Sequence, residues 1–201
     1  MNHNNDNAYS LGIKPGVIIL ALLLFGITMM FLSCTVAYTY TRVEHGLTPL
    51  KLPMIFLVNT FILIGSSFSL RWAQKSYVKD NTDDYKSALL TTSILSLLFL
   101  AAQIYGWKQL FDNNIYIHSN NGASYLYLIS GLHFLHVIGG LPFLAFFLYD
   151  ARKKMVEPVS VLIYFSDPTK RMQLKLITWY WHFLDILWIY LVLFFGINAL
   201  I

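Results

Sequence analysis

Cysteine occurs once, at Cys34, so the chain closes no disulfide on itself, and cysteine usage says nothing about its redox compartment. Charge is sparse as well. Only 12% of the 201 residues are charged, against roughly 25% in an ordinary soluble domain. With 57% apolar residues and a mean hydropathy of +0.57, water is not the main solvent of this chain. The net charge of +4 is too small and too unevenly placed for a nucleic-acid surface, so no nucleic-acid partner is expected. Internal repeats are absent, and the only low-complexity tract is the Asn-rich start.

Long apolar runs are what the sequence has in abundance. A bilayer core of about 30 Å takes roughly 20 apolar residues in a helix. Five stretches reach that scale between flanking charges: about 16–40, 53–70, 87–107, 123–149 and 176–201. Backbone groups in hydrocarbon must bond within their own segment, so the runs are read as helices. The expected fold is all-α, a polytopic membrane protein with a bundle of five transmembrane helices over residues 16–201, after a flexible polar N-terminus of residues 1–15. The longest connection, about 25 residues between the last two runs, is read as having no apolar core of its own. Ser33-Cys34 resembles a lipoprotein cleavage site, but the run around it is too long and the start MNHNNDN lacks basic residues. The first run is therefore expected to remain in the mature chain.

Orientation follows from the cations. Lys14, Arg71, Lys75, Lys79, Lys86, Arg152, Lys153, Lys154, Lys170, Arg171 and Lys175 fall in segments on the N-terminal side of the membrane, which is 11 of the 14 Lys and Arg. Arg42, Lys51 and Lys108 fall on the other. That bias predicts a cytoplasmic N-terminus.

Polar side chains inside the runs are costly and therefore informative. Asp185 lies well inside the last run, where a charged group costs about 2.5 to 3.5 kcal/mol on insertion scales. His182 precedes it by three residues on the same helix face, and Trp179, Trp181 and Trp188 surround it. His133 and His136 repeat that spacing within GLHFLHVIGG. Helix rise puts the two pairs at similar depth, so Asp185 is expected to face a histidine or tryptophan donor rather than lipid. Four readings stay open for His133, His136, His182 and Asp185: metal ligation, haem ligation, a proton relay, or polar bonds that join helices. Asn59 and Gln103 are further polar side chains inside the runs and are read as packing contacts. Ser130, Gly131, Gly139 and Gly140 let a neighbouring helix or lipid chain approach the fourth run closely, and Pro142 removes one backbone bond there. Arg152, Lys153, Lys154, Arg171 and Lys175 either contact anionic lipid headgroups, at about 1 kcal/mol each, or merely set topology.

The motifs resemble one family. WYWHFLDILWIYLVLFF, from Trp179 to Phe195, is similar to the signature of subunit III of haem–copper respiratory oxidases. SGLHFLHVIGG (Ser130 to Gly140), LPMIFLVNTFILIGSS (Leu52 to Ser67) and FLAAQIYGW (Phe99 to Trp107) resemble that family's other spans, in order. The resemblance implies a non-catalytic subunit of a bacterial cytoplasmic-membrane terminal oxidase, a cytochrome c oxidase or quinol oxidase. It implies no haem, copper or other cofactor in this chain, with haem and copper in partner subunits. The implied partners are catalytic subunit I, the other oxidase subunits and phospholipids, and the implied roles are stabilising subunit I, supporting proton uptake and holding lipid. On this resemblance the histidines and Asp185 are expected to serve packing.

Departures from the family pattern matter. Where the family usually has a glutamate in the span that opens this chain, Ile27 or Met29 stands, and Gly106 and Lys175 stand near two further glutamate positions. Proton carriage through those carboxylates does not transfer. Two alternatives remain at this point: a di-haem membrane anchor of another dehydrogenase, with His133, His136 and His182 among the axial ligands, or a related accessory protein of a nitric oxide reductase. A transporter is disfavoured, since repeated halves with broken helices are missing.

Overall fold

The computed structural model describes residues 14–46 and 52–200. Those residues form six helices: α1 (Pro15–His45), α2 (Ile55–Val78), α3 (Thr82–Asp112), α4 (Asn121–Lys154), α5 (Pro158–Ser166) and α6 (Pro168–Leu200). All but α5 are long and apolar enough to cross a membrane. The Asn-rich start, most of the flexible N-terminus expected from the sequence, Lys51 and Ile201 lie outside the described residues.

Local chemistry sets the helix ends. Pro15 opens α1 at a position where the missing N–H costs nothing, and Gly46 ends it with φ of 57°. Asn81 caps α3 by accepting a hydrogen bond from the Asp84 amide at 3.1 Å, and Asn120 caps α4 through the Ala123 amide at 2.7 Å. Arg152, Lys153 and Lys154 occupy the last turn of α4, where cations meet the negative end of the helix dipole. The helices overrun the apolar stretches: α2 continues from Leu70 to Val78, and α6 begins at Pro168 rather than near Leu176. Hydropathy marks only the part of a helix that lies in hydrocarbon, and these helices continue into the polar zone on charged side chains. The 154–168 connection also differs from the sequence reading. It holds α5, whose Tyr164 and Phe165 are buried in the bundle.

Helices α2 and α3 form the tightest pair. Ser66, Ser69, Ala73 and Ser76 on α2 and Ala88, Thr92 and Ser96 on α3 are all buried, and such small residues let backbones approach. Ser69 Oγ donates to the Ala88 carbonyl at 2.9 Å across that seam. Helix α6 lies against α1, α2 and α4, while α1 packs on α4 and α6 through Ile27, Phe31, Thr35 and Tyr38, one stripe at helical spacing. Gly140 marks where α4 crosses α6: a Cβ there would come 2.6 Å from Trp181 Cζ3. Gly131 and Gly139, grouped with it in the sequence reading, have nothing within 4 Å of an added Cβ.

The alternation of helices gathers their basic ends. Lys86 Nζ at the start of α3 donates to the Met155 carbonyl at 2.7 Å, and Tyr77 OH near the end of α2 donates to the Tyr164 carbonyl at 2.9 Å. At the opposite end Arg42 donates to Asn198 Oδ1 at 2.5 Å. The starts of α1, α3 and α6 and the ends of α2 and α4 thus share one face of the molecule, and it is the face that carries the cations.

Candidate functional site

The six in-membrane polar residues singled out from the sequence lie in four places rather than one: Asn59 with Gln103, His133, His136, and His182 with Asp185. Asn59 on α2 and Gln103 on α3 are both fully buried, with Asn59 Nδ2 donating to Gln103 Oε1 at 2.8 Å. A buried amide without such a partner pays its full desolvation, so each residue is there for the other. Trp107 Nε1 donates to Ser130 Oγ at 3.0 Å and closes α3 on α4 in the same manner.

His133 is fully buried and reaches across to α6, donating from Nε2 to the Leu184 carbonyl at 3.1 Å. Its ring lies edge-on to Phe99 and tilted against Trp188, with centroids 5.7 and 5.0 Å away. His136 turns back instead and donates from Nδ1 to the Leu132 carbonyl of its own helix at 2.7 Å. The carbonyl of His136 accepts from Tyr180 OH at 2.8 Å, so it is the backbone of this residue, not its ring, that reaches α6.

His182 and Asp185 face α2. His182 Nδ1 bonds Ser67 Oγ at 2.5 Å and lies 4.0 Å from Asp185 Oδ2, while Arg71 Nε points at His182 Nε2 from 3.4 Å. Asp185 is buried, at 4% exposure, and both of its carboxylate oxygens lack a hydrogen bond within the chain. The histidine nearest Asp185 is His182 of the same helix, with its ring nitrogen beyond bonding distance, and neither histidine of α4 reaches the carboxylate.

The two histidine-bearing pairs therefore do not converge. Each imidazole of α4 is spent on a backbone carbonyl, and among the described residues no three His, Cys, Asp or Glu side chains gather to hold a metal ion. An axial pair for haem would need imidazoles from facing helices aimed into a shared gap, which His133, His136 and His182 do not provide.

One polar centre escaped the sequence reading. Asp150, buried near the end of α4, accepts from Lys154 Nζ at 2.9 Å and meets Lys170 Nζ of α6 at 2.7 Å. The i, i+4 spacing to Lys154 was visible in the sequence, but Lys170 arrives only through the fold. The Lys170 ammonium also lies over the Phe146 ring, 5.2 Å from its centroid. Beside it Tyr77, Tyr85, Tyr164 and Phe165 form an edge-to-face cluster that seats α5. Burial pushes the Tyr164 hydroxyl up to about 12. The Asp167 carboxyl, accepting from the Thr169 amide at 2.8 Å, is held below the usual carboxylate range.

Arg152, Lys153, Lys154, Arg171 and Lys175 are all exposed at the basic end. Lys175 stacks over Trp179 at 4.9 Å and Lys153 over Tyr149 at 5.8 Å, an arrangement that suits ring and cation at a headgroup level. At the positions where glutamates were sought, Ile27 is buried, Met29 exposed, and Gly106 walled in by Ile55 and Phe56.

These features define a class: an all-helical multi-pass membrane protein with polar side chains buried between its helices, several of them hydrogen-bonded from one helix to the next. Residues 2–198 match the family model described as cytochrome c oxidase subunit III. The chain belongs to that family. Among curated proteins it is similar to "Cytochrome c oxidase subunit 3" of Papio hamadryas and of Homo sapiens, each 30% identical over 146 residues, covering 73% of this chain and 51% of the relative. The protein of that name from Rattus norvegicus is 31% identical over the same coverage. The chain thus spans about half the length of the curated relatives it matches.

Proposed function

We propose that this chain is the non-catalytic subunit III of a bacterial haem–copper terminal oxidase, seated in the cytoplasmic membrane with its N-terminus inside. In that complex it stabilises catalytic subunit I, which carries the haem and copper, and it contacts phospholipid. The family match across residues 2–198 is the observation that carries this reading. Two features of the chain support it. Its buried polar side chains join α2 to α3 and α4 to α6, as expected of a scaffold, and its cations gather at one end, as expected of a cytoplasmic face.

Support of proton uptake belongs to the same reading, with a restriction. Gly106 has no room for a side chain, since a Cβ would sit 2.8 Å from Ile55 Cγ2, and Ile27 is apolar and buried. Whatever this chain contributes to uptake comes from its basic face or from Asp185, not from carboxylates at those positions. Arg152, Lys153, Lys154, Arg171 and Lys175 are the proposed headgroup contacts, and His133, His136, His182, Asp185, Gln103 and Asn59 the proposed packing residues.

The test is a mass-spectrometric inventory of the complex purified by a tag on this chain, with an absorption spectrum of the same sample. Copurification of an oxygen-reducing subunit, with haem lost when that subunit is stripped away, is the expected result. A b-type spectrum retained by this chain alone would overturn it in favour of a haem-bearing anchor. Recovery of a nitric oxide reductase in place of an oxidase would overturn it in favour of an accessory protein.

A further inference from the structure

Four buried polar atoms come together where α2, α3, α4 and α6 meet. Asn59 Oδ1, Gln103 Nε2, His133 Nδ1 and Trp188 Nε1 are shut off from solvent, and none has a hydrogen-bond partner among the described residues. Their residues are 0% to 1% exposed. Such orphans are rare, because a buried donor or acceptor that loses water and gains nothing bears its desolvation in full. Register places the four in one layer of the bundle. Trp107 on α3 bonds Ser130 on α4, and one turn deeper on each helix lie Gln103 and His133. Asn59 holds Gln103 at 2.8 Å. Phe99, one turn below Gln103, packs edge-on against both the His133 and the Trp188 rings, with centroids 5.7 and 5.1 Å away. Trp188 lies 5.0 Å from His133 and stacks on Phe56, three residues before Asn59.

Chemistry limits what can serve these atoms. His133 commits its Nε2 proton to the Leu184 carbonyl, which leaves Nδ1 a bare acceptor. The indole N–H of Trp188 can only donate. The amide pair leaves one donor, Gln103 Nε2, and one acceptor, Asn59 Oδ1, and turning both amides over leaves one of each again. Two donors and two acceptors are the complement of a water molecule, which accepts two hydrogen bonds and gives two. A cation or an anion would meet groups of the wrong sign in half of its contacts. A cavity of about 10 Å³, close to the room one water needs, lies against Phe56, Ser130 and Trp188 and gives the Trp188 ring slack to admit it.

We infer that one ordered water is bound inside the bundle at the junction of α2, α3, α4 and α6, hydrogen-bonded to Asn59, Gln103, His133 and Trp188. It is a structural ligand that ties four helices at a single node. Through it His133 and Trp188 become partners of an amide pair to which neither is bonded directly. The site depends only on this chain's own core, so it stands or falls apart from the identity of the surrounding complex.

The experiment pairs a cryo-electron microscopy map of the intact complex, at a resolution where ordered waters are visible, with nitrogen-15 spectra of the same complex labelled in histidine. The map is expected to show one water-sized peak about 2.7 to 3.2 Å from at least three of the four atoms. Loss of one resonance in His133→Phe identifies the His133 Nδ1 signal. Gln103→Met and Trp188→Phe each take one donor from the water, so each is expected to weaken the peak and to move that signal downfield, as for an acceptor that loses its donor. A direct bond between Trp188 and His133 would move the signal in Trp188→Phe alone and overturns the proposal. A map with the four side chains in place and no peak between them overturns it too, as does a peak too large for water or an unmoved signal in both variants. Should Gln103→Met fail to assemble, the map of the unaltered complex and the Trp188→Phe spectrum still decide the matter.

Discussion

A buried amide pair shows how little room the bilayer leaves for unpaired polarity. Asn59 and Gln103 exchange one hydrogen bond at 2.8 Å, and Asn59 Oδ1 and Gln103 Nε2 find no second partner in the chain. Replacing one member strands the other, so Asn59→Leu is expected to lower stability by about 1 to 2 kcal/mol, while Asn59→Leu with Gln103→Leu costs less than either single change. Thermal unfolding of the complex in detergent, read as a double-mutant cycle, measures this; strict additivity would show that the pair does not interact. His133→Ala removes the bond to Leu184 and empties space among Phe99 and Trp188, with an expected loss of about 2 to 4 kcal/mol. His136→Ala costs less, because its ring bonds only its own helix. Release of this chain from the complex on detergent challenge ranks the two, and the opposite order would contradict the assignment. From the sequence the two histidines look equivalent. Their roles diverge because residues three apart differ by about 60° around the helix, enough to aim one at α6 and the other back along α4.

Among the elements, the crossing of α4 and α6 depends on Gly140 and not on its neighbour. A methyl group at Gly140 would meet the Trp181 and Tyr180 rings at 2.6 and 2.8 Å, so Gly140→Ala is expected to cost about 1 to 3 kcal/mol, with Gly139→Ala close to neutral. Comparable melting points for the two variants would show that the helices shift to make room. Helix α5 has its own signature. The Tyr164 hydroxyl, raised to about 12 by burial, favours the docked helix while it stays neutral. This contribution is complete below the ordinary tyrosine value of about 10 and disappears as pH rises from about 10 to about 12. Protease cutting near α5 is expected to rise in that window, and Tyr164→Phe is expected to shrink the rise without removing it, because Tyr77 packs in the same cluster. The sequence hid α5 because nine residues are too few for a membrane run and its apolar side chains point both inward and outward.

At the scale of the molecule, five antiparallel crossings bring 11 of the 14 cations to one end. With that end in the cytoplasm, Lys153→Cys in a Cys34→Ser background is expected to react with an impermeant thiol reagent in inverted vesicles and to be protected in right-side-out cells. The reverse pattern would turn the molecule over. The number of membrane helices, their order and the segregation of cations were legible in the sequence because each depends only on which residues hydrocarbon accepts, a property of the residues themselves. The motif from Trp179 to Phe195 was legible too, and the family match bears out the resemblance it carried. What the histidines and Asp185 touch was not legible, since those contacts depend on how each helix is rotated about its axis and on which helices are neighbours. Burial of Asp150 against Lys170 and the unlike surroundings of Gly139 and Gly140 were decided by that rotation alone. Hydropathy fixes how deep a residue sits; only packing fixes the direction in which it points.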